Sequence, residues 1–113
     1  MISCIFCKII QGKLPVKKIF EDDEVIAFYD IKPASEIHAL LIPKLHIESL
    51  GRLQPVHYPL AAKITLAIPN ITNILGLSQG FKILVNTGID GGQKVFHLHY
   101  HILGGKGSKY HKL

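Results

Sequence analysis

An α+β fold is predicted by three features of the 113-residue sequence. Apolar residues at 56, 60, 61, 64, 67, 68, 71, 74 and 75 recur three or four apart, as the buried stripe of one long helix requires. Two short runs rich in β-branched and aromatic residues, Ile19–Phe20 and Val25–Tyr29, flank the polar Glu21, Asp22, Asp23 and Glu24 and read as a hairpin. The stretch VFHLHYHIL alternates with the period of two that marks a half-buried strand. A chain of this length with 48% hydrophobic side chains supports one core, so residues 1–113 are read as a single domain.

The elements follow in order. Cys4 to Gln11 carries apolar residues at 5, 6, 9 and 10, a helical spacing that Gly12 would close as a C-terminal cap. After the hairpin, Ile37 to Ile42 is a third strand, stopped by Pro43, which has no amide hydrogen for a ladder. The main helix runs from Gln54 to Leu75. Pro55 and Pro59 are tolerated near its start, Pro69 predicts a bend or break, and Gly76 is a stop. Phe81 to Asn86 and Val95 to Leu103 complete a sheet of about five antiparallel strands, joined by the turn-forming TGIDGGQK. One helix is short and one long.

Thirteen basic residues against eight acidic give a net charge of +5, but only Lys17 and Lys18 are adjacent. Nucleic-acid surfaces usually cluster such charge, so nucleic acid is not the expected partner and small phosphorylated molecules fit better. No uninterrupted apolar run reaches the roughly 18 residues that cross a bilayer, and MISCIFCKIIQGK lacks a basic leader with a cleavable apolar stretch. No membrane association is expected. Two cysteines three apart, Cys4 and Cys7, are too few for a secreted disulfide framework and indicate a reducing, cytoplasmic setting.

Chemistry concentrates in FHLHYH. On a strand His97, His99 and His101 would share one face at steps of roughly 7 Å, with Leu98, Tyr100 and Ile102 packing behind them. A polar solvent face or a row of metal ligands would produce the same pattern. Upstream lie Asn86, Gly88, Gly91, Gly92 and Gln93. The glycines permit close approach of backbone to phosphate, and the two amides donate hydrogen bonds without adding charge. A plain interstrand loop is the alternative.

The segments CIFCKIIQGKLP, FEDDEVIAFYDIKP, HALLIPKLH, VNTGIDGGQ and FHLHYHILGG, in this order and spacing, make the chain resemble the histidine-triad (HIT) nucleotide-binding family over nearly its whole length. It looks most like the small adenosine phosphoramidase branch. The resemblance implies a purine nucleoside 5′-phosphoramidate hydrolase acting on adenosine or guanosine conjugates, aminoacyl and lysyl adenylates included, through a nucleotidyl-histidine. It makes His99 the nucleophile, sets His101 beside the phosphate and leaving group, and gives His97 and His38 orienting roles. Asn86, Gln93 and Lys94 take the phosphate loop, together with His99 and His101. Family members often carry a hydroxyl residue at the position of Lys94, so leaving-group preference is expected to differ here. Ile5, Phe6, Ile9, Phe28 and Ile31 would form the nucleoside slot, with Asp30 accepting from the ribose hydroxyls and only modest purine selectivity.

The resemblance also implies a structural zinc held by Cys4, Cys7, His46 and His97, and a homodimer whose sheet continues across two chains. Read from their spacing alone, the cysteines fit two thiolate ligands, two buried thiols or a redox pair. The chemistry at His99 requires no metal. Two other readings are cleavage of dinucleoside polyphosphates, which the short chain disfavours, and a nucleotide-binding regulatory module acting through a protein partner. The family's frequent tail tryptophan is missing from GGKGSKYHKL, and Tyr110 and His111 have no assigned role.

Overall fold

The computed structural model describes residues 3–106. Five strands, β1 (Lys18–Glu21), β2 (Val25–Tyr29), β3 (Ile37–Pro43), β4 (Lys82–Leu84) and β5 (Tyr100–Gly104), form one antiparallel sheet in the order β1-β2-β3-β5-β4. Helices α1 (Ile5–Ile10) and α2 (Tyr58–Ile74) pack on opposite faces. The expected five-stranded α+β architecture with one short and one long helix is what the chain forms. Among the described residues no helix is long and apolar enough to cross a membrane. Residues 107–113, with Tyr110 and His111, lie outside the described residues.

The hairpin closes because Asp22 replaces missing backbone partners: its Oδ1 accepts from the amides of Glu24 (2.8 Å) and Val25 (2.9 Å). Helix α1 is capped by Cys4, whose Sγ accepts from the Cys7 amide at 3.3 Å. At its far end Gly12, at φ +77°, turns the chain so that the Lys13 amide reaches the Lys8 carbonyl at 2.8 Å.

Strand parity sorts the sheet into two faces. Val25, Ala27, Ala39, Leu41 and Ile102 pack with Ile64, Ala67, Ile68 and Ile71 of α2. Ile26, Phe28, Leu40 and Ile42 face α1, against Cys4, Phe6 and Ile9. His101 pairs with Leu40 across the β3–β5 ladder and therefore stands on the α1 face, as does His38, two residues before Leu40. Both faces are core, and the α1 face also carries His38 and His101.

The structure departs from the sequence reading at four places. The main helix begins at Tyr58 rather than Gln54, because Pro55–His57 forms a separate 3₁₀ turn boxed by Gln54 and His57. Pro69 does not break α2, since buried residues on both sides of it, Ile64 and Ala67 before, Ile71 and Thr72 after, clamp the helix to the protein. The stripe is also narrower than expected, with Val56 and Ile74 exposed. The histidine strand starts only at Tyr100: the ladder stops at Leu41–Tyr100, the Leu98 amide bonds the Ile47 carbonyl instead (2.7 Å), and β4 is correspondingly confined to Lys82–Leu84.

Candidate active site

His38 and His101 form a relay whose proton positions follow from main-chain groups that can play only one role. The Ala34 amide donates to His38 Nδ1 at 2.9 Å, so a neutral His38 carries its proton on Nε2. That Nε2 lies 2.8 Å from His101 Nδ1 and 3.4 Å from Asp30 Oδ2. His101 therefore accepts at Nδ1 and keeps its own proton on Nε2, a buried atom with no partner among the described residues. A buried donor left unpaired costs about 1–3 kcal/mol, and a ligand that accepts from it recovers that cost.

His99 is set in a complementary way. Its Nδ1 donates to the backbone carbonyl of His97 at 2.8 Å, so a neutral ring has its lone pair on Nε2. The ring is buried, with its centroid 5.1 Å from that of His101 and 5.2 Å from that of Phe6. Burial holds the pKa of His101 down at about 4, helped by neighbouring His99 and His38 and opposed by Asp30. His38 is lowered by burial too, again against Asp30. Near neutral pH the His38–His101 relay is uncharged, with a donor at His101 Nε2.

The three triad imidazoles do not form the evenly spaced row that an unbroken strand would give. His97 turns away into a second cluster. Its Nε2 donates to the Pro43 carbonyl (2.8 Å), which leaves the Nδ1 lone pair facing Cys4 Sγ (3.5 Å), Cys7 Sγ (3.6 Å) and His46 Nδ1 (3.1 Å). Cys7 Sγ and His46 Nδ1 are 3.3 Å apart. Tetrahedral zinc with bonds of about 2.3 Å to sulfur and about 2.0 Å to nitrogen has ligand–ligand edges of roughly 3.3–3.8 Å. These four separations lie at or near that range, all four ligand atoms lie within 4.8 Å of one another, and the S₂N₂ donor set suits that ion. Burial lowers the His97 pKa, and burial with the adjacent Cys4 raises the Cys7 thiol.

The loop before the triad is folded on itself. Gln93 is buried; its Oε1 accepts from the Gly88 amide (2.9 Å) and its Nε2 donates to the carbonyls of Glu48 (2.8 Å) and Val95 (2.9 Å). Both amide hydrogens are committed to protein carbonyls, so Gln93 shapes the loop rather than offering a free donor to phosphate. At Gly91 any Cβ would strike the Thr87 carbonyl, so the tight turn requires glycine there. Asn86 is half-buried. Lys94 is exposed and, with Ile5, Lys8, Leu14 and Phe96, lines a cavity of about 520 Å³ beside α1.

The residues expected around the nucleoside divide. Phe6, Ile9 and Phe28 are buried in the α1-side core, with Phe6 and Phe28 edge to face at 5.9 Å, whereas Ile5 is half exposed and Ile31 is 88% exposed. Asp30 is brought beside His38, while its Oδ1 accepts from the Lys32 amide at 2.8 Å. Sequence reasoning missed the Ala34 amide, the Pro43 carbonyl and the Glu48 carbonyl; main-chain groups carry no residue signal. The aromatic edge of Phe6 on both His97 (5.8 Å) and His99 (5.2 Å) was missed as well, its only trace being its place between the two cysteines.

The chain is similar to known proteins along most of its length. A family profile described as "Scavenger mRNA decapping enzyme C-term binding" matches residues 3–111. Protein HitA of Neisseria gonorrhoeae is 51% identical over 92% of this chain and 97% of its own length. An uncharacterized HIT-like protein of Helicobacter pylori is 43% identical over 89% of this chain and 95% of its own. Among solved structures, a histidine triad protein from Clostridium difficile superposes with a TM-score of 0.89 at 44% identity, covering 94% of this chain and 93% of that one. A HIT family hydrolase from Legionella pneumophila does so at 0.90 and 37% identity, covering 96% and 97%. With the triad, the sheet and these relatives in agreement along the chain, the protein belongs to the histidine-triad (HIT) family.

Proposed function

We propose that this HIT protein hydrolyses purine nucleoside 5′-phosphoramidates to the nucleoside monophosphate. His99 Nε2 attacks the α-phosphorus, the P–N bond breaks, and the amine departs with a proton. Water then cleaves the P–Nε2 bond, releasing the monophosphate and regenerating His99. His101 Nε2–H donates to a phosphoryl oxygen or the departing nitrogen, and His38 holds it in that tautomer. Asn86 and the backbone amide of Lys94 would hold the phosphate, with Gln93, whose own amide bonds the Gly88 carbonyl at 3.0 Å, shaping the loop around it. Ile5, Phe6, Ile9, Phe28 and Ile31 would border the base, and Asp30 the ribose.

The observation that carries this reading is the opposed assignment of the two adjacent rings. Nδ1–H of His99 is given to the His97 carbonyl, freeing a nucleophilic nitrogen, while His101 presents an N–H with no partner among the described residues. Solved relatives described as HIT family hydrolases support the reaction class. The test is turnover of an adenosine 5′-phosphoramidate bearing a fluorescent amine. Wild type that binds this compound to saturation and releases no amine would refute the proposal.

Two further assignments belong to the same reading. Zinc at Cys4, Cys7, His46 and His97 would tie α1 to the loops after β3 and before β5, a structural duty that supplies no group to the reaction. A homodimer with a continuous sheet would form through β4, an edge strand with one side unpaired in the sheet order, next to the exposed Phe81. Free thiols and a thiolate metal site suit the reducing cytoplasm.

A further inference from the structure

We infer that the Cys4–Cys7–His46–His97 cluster is part of the apparatus that aims the nucleophile, with Cys4, Cys7 and His46 acting as positioning residues for His99 through His97. The inference rests on the reading of His99 as nucleophile and adds a second duty to the metal site.

Residues 95–99 precede β5 and have no ladder to hold them, so other contacts must fix the carbonyl that sets the His99 tautomer. Those contacts converge on His97. Its Nδ1 faces both cysteines and His46, its Nε2 is bonded to Pro43, and its ring lies edge-on to Phe6. The same two segments are joined a second time by the Leu98 amide on the Ile47 carbonyl. On α1, Phe6 sits between the two cysteines and touches the rings of both His97 and His99. A metal ion gripping the four ligands would therefore fix α1, residues 46–47 and residues 97–98 relative to one another, and with them both supports of the nucleophilic ring. Such outer supports of an active group typically change activity by about 10–100-fold when lost.

The full-length protein is compared as isolated with zinc, after chelation, and after return of zinc, alongside His46→Ala, which removes the solvent-accessible ligand. Imidazole ¹⁵N spectra report the His99 Nδ1 proton without any substrate, and steady-state kinetics separate kcat from KM. Chelation and His46→Ala are each expected to accelerate exchange of that proton at least tenfold and to lower kcat at least tenfold, with KM within twofold. Zinc restores the chelated wild type and not the variant. Unchanged proton exchange in the folded metal-free protein overturns the inference, as does a rise in KM with kcat intact, which would place the effect in the nucleoside slot. Unfolding in both arms, read by circular dichroism, also overturns it, because the cluster would then support the fold rather than one side chain. A zinc-loaded wild type without phosphoramidase activity refutes the proposed reaction, while the proton-exchange arm still decides whether the cluster aims His99.

Discussion

His38 Nε2 stands 2.8 Å from His101 Nδ1, and this bond decides which nitrogen His101 offers to a ligand. The Ala34 amide fixes one end of the relay, and His101 Nε2–H, without a partner among the described residues, is the other. Replacing His38 with Ala should therefore release the His101 tautomer. A kcat loss of about 10–100-fold with little change in KM is expected. Steady-state kinetics check this, and an unchanged kcat would show that the relay has no part in turnover.

His99→Ala removes the attacking nitrogen. Turnover is expected to fall at least about 1,000-fold, while affinity for adenosine monophosphate changes only several-fold, because the nucleoside contacts remain. Rapid-quench mass spectrometry on wild type should show nucleotide mass on the peptide containing His99. An adduct mapped to another side chain would reassign the nucleophile.

Stability should fall as the solution is acidified from the ordinary histidine range. His101 and His38 titrate lower in the folded chain than in the unfolded one, so between pH about 6.5 and 4 the unfolded state binds more protons. Their contribution is fully present above the unfolded pKa and is lost as pH falls through the folded pKa, which for His101 is about 4. Glu21 and Asp22, held low by Lys44 and Lys18 and by hairpin amides with Lys63 respectively, extend the loss below that range. Urea midpoints at pH 7.5, 6, 5 and 4.5 should decline, and His101→Gln should flatten the decline.

Gln93→Ala deletes three hydrogen bonds made by one buried amide. A loss of about 2–4 kcal/mol is expected from the carbonyls and amide left without partners. The phosphate-side loop should loosen with it, raising KM. Denaturant unfolding and kinetics on the same preparation test both arms.

Lys94→Ser should leave stability within about 0.5 kcal/mol, since the side chain is exposed. Its effect should appear instead as altered relative kcat/KM among phosphoramidates whose amines differ in charge. Identical preference profiles would remove Lys94 from leaving-group selection.

Much of the fold is legible in the sequence because one period governs each element. The parity of Val25–Tyr29 and Ile37–Ile42 reproduces the two faces observed, and Gly12 and Gly76 end the helices as their positive φ requires. The triad is legible as three histidines two apart, yet its geometry is not. Alternation implies a ladder, whereas the β3–β5 pairing stops at Leu41–Tyr100 and His97 swings to the cysteines. The fate of Pro69 depends on tertiary clamping that no local rule registers. The exposure of Ile31, the burial of Ile9 and the commitment of both Gln93 hydrogens are likewise set by distant backbone.

The early end of the β3–β5 pairing has a wider meaning. A carbonyl engaged in regular sheet has already committed one lone pair to its neighbour. Beyond Leu41–Tyr100, where the β3–β5 pairing lapses, the carbonyls of Pro43 and His97 each become the anchor of an imidazole. The candidate site is thus seated in a gap in the protein's own weave, where two backbone oxygens rather than a neighbouring strand hold the imidazoles.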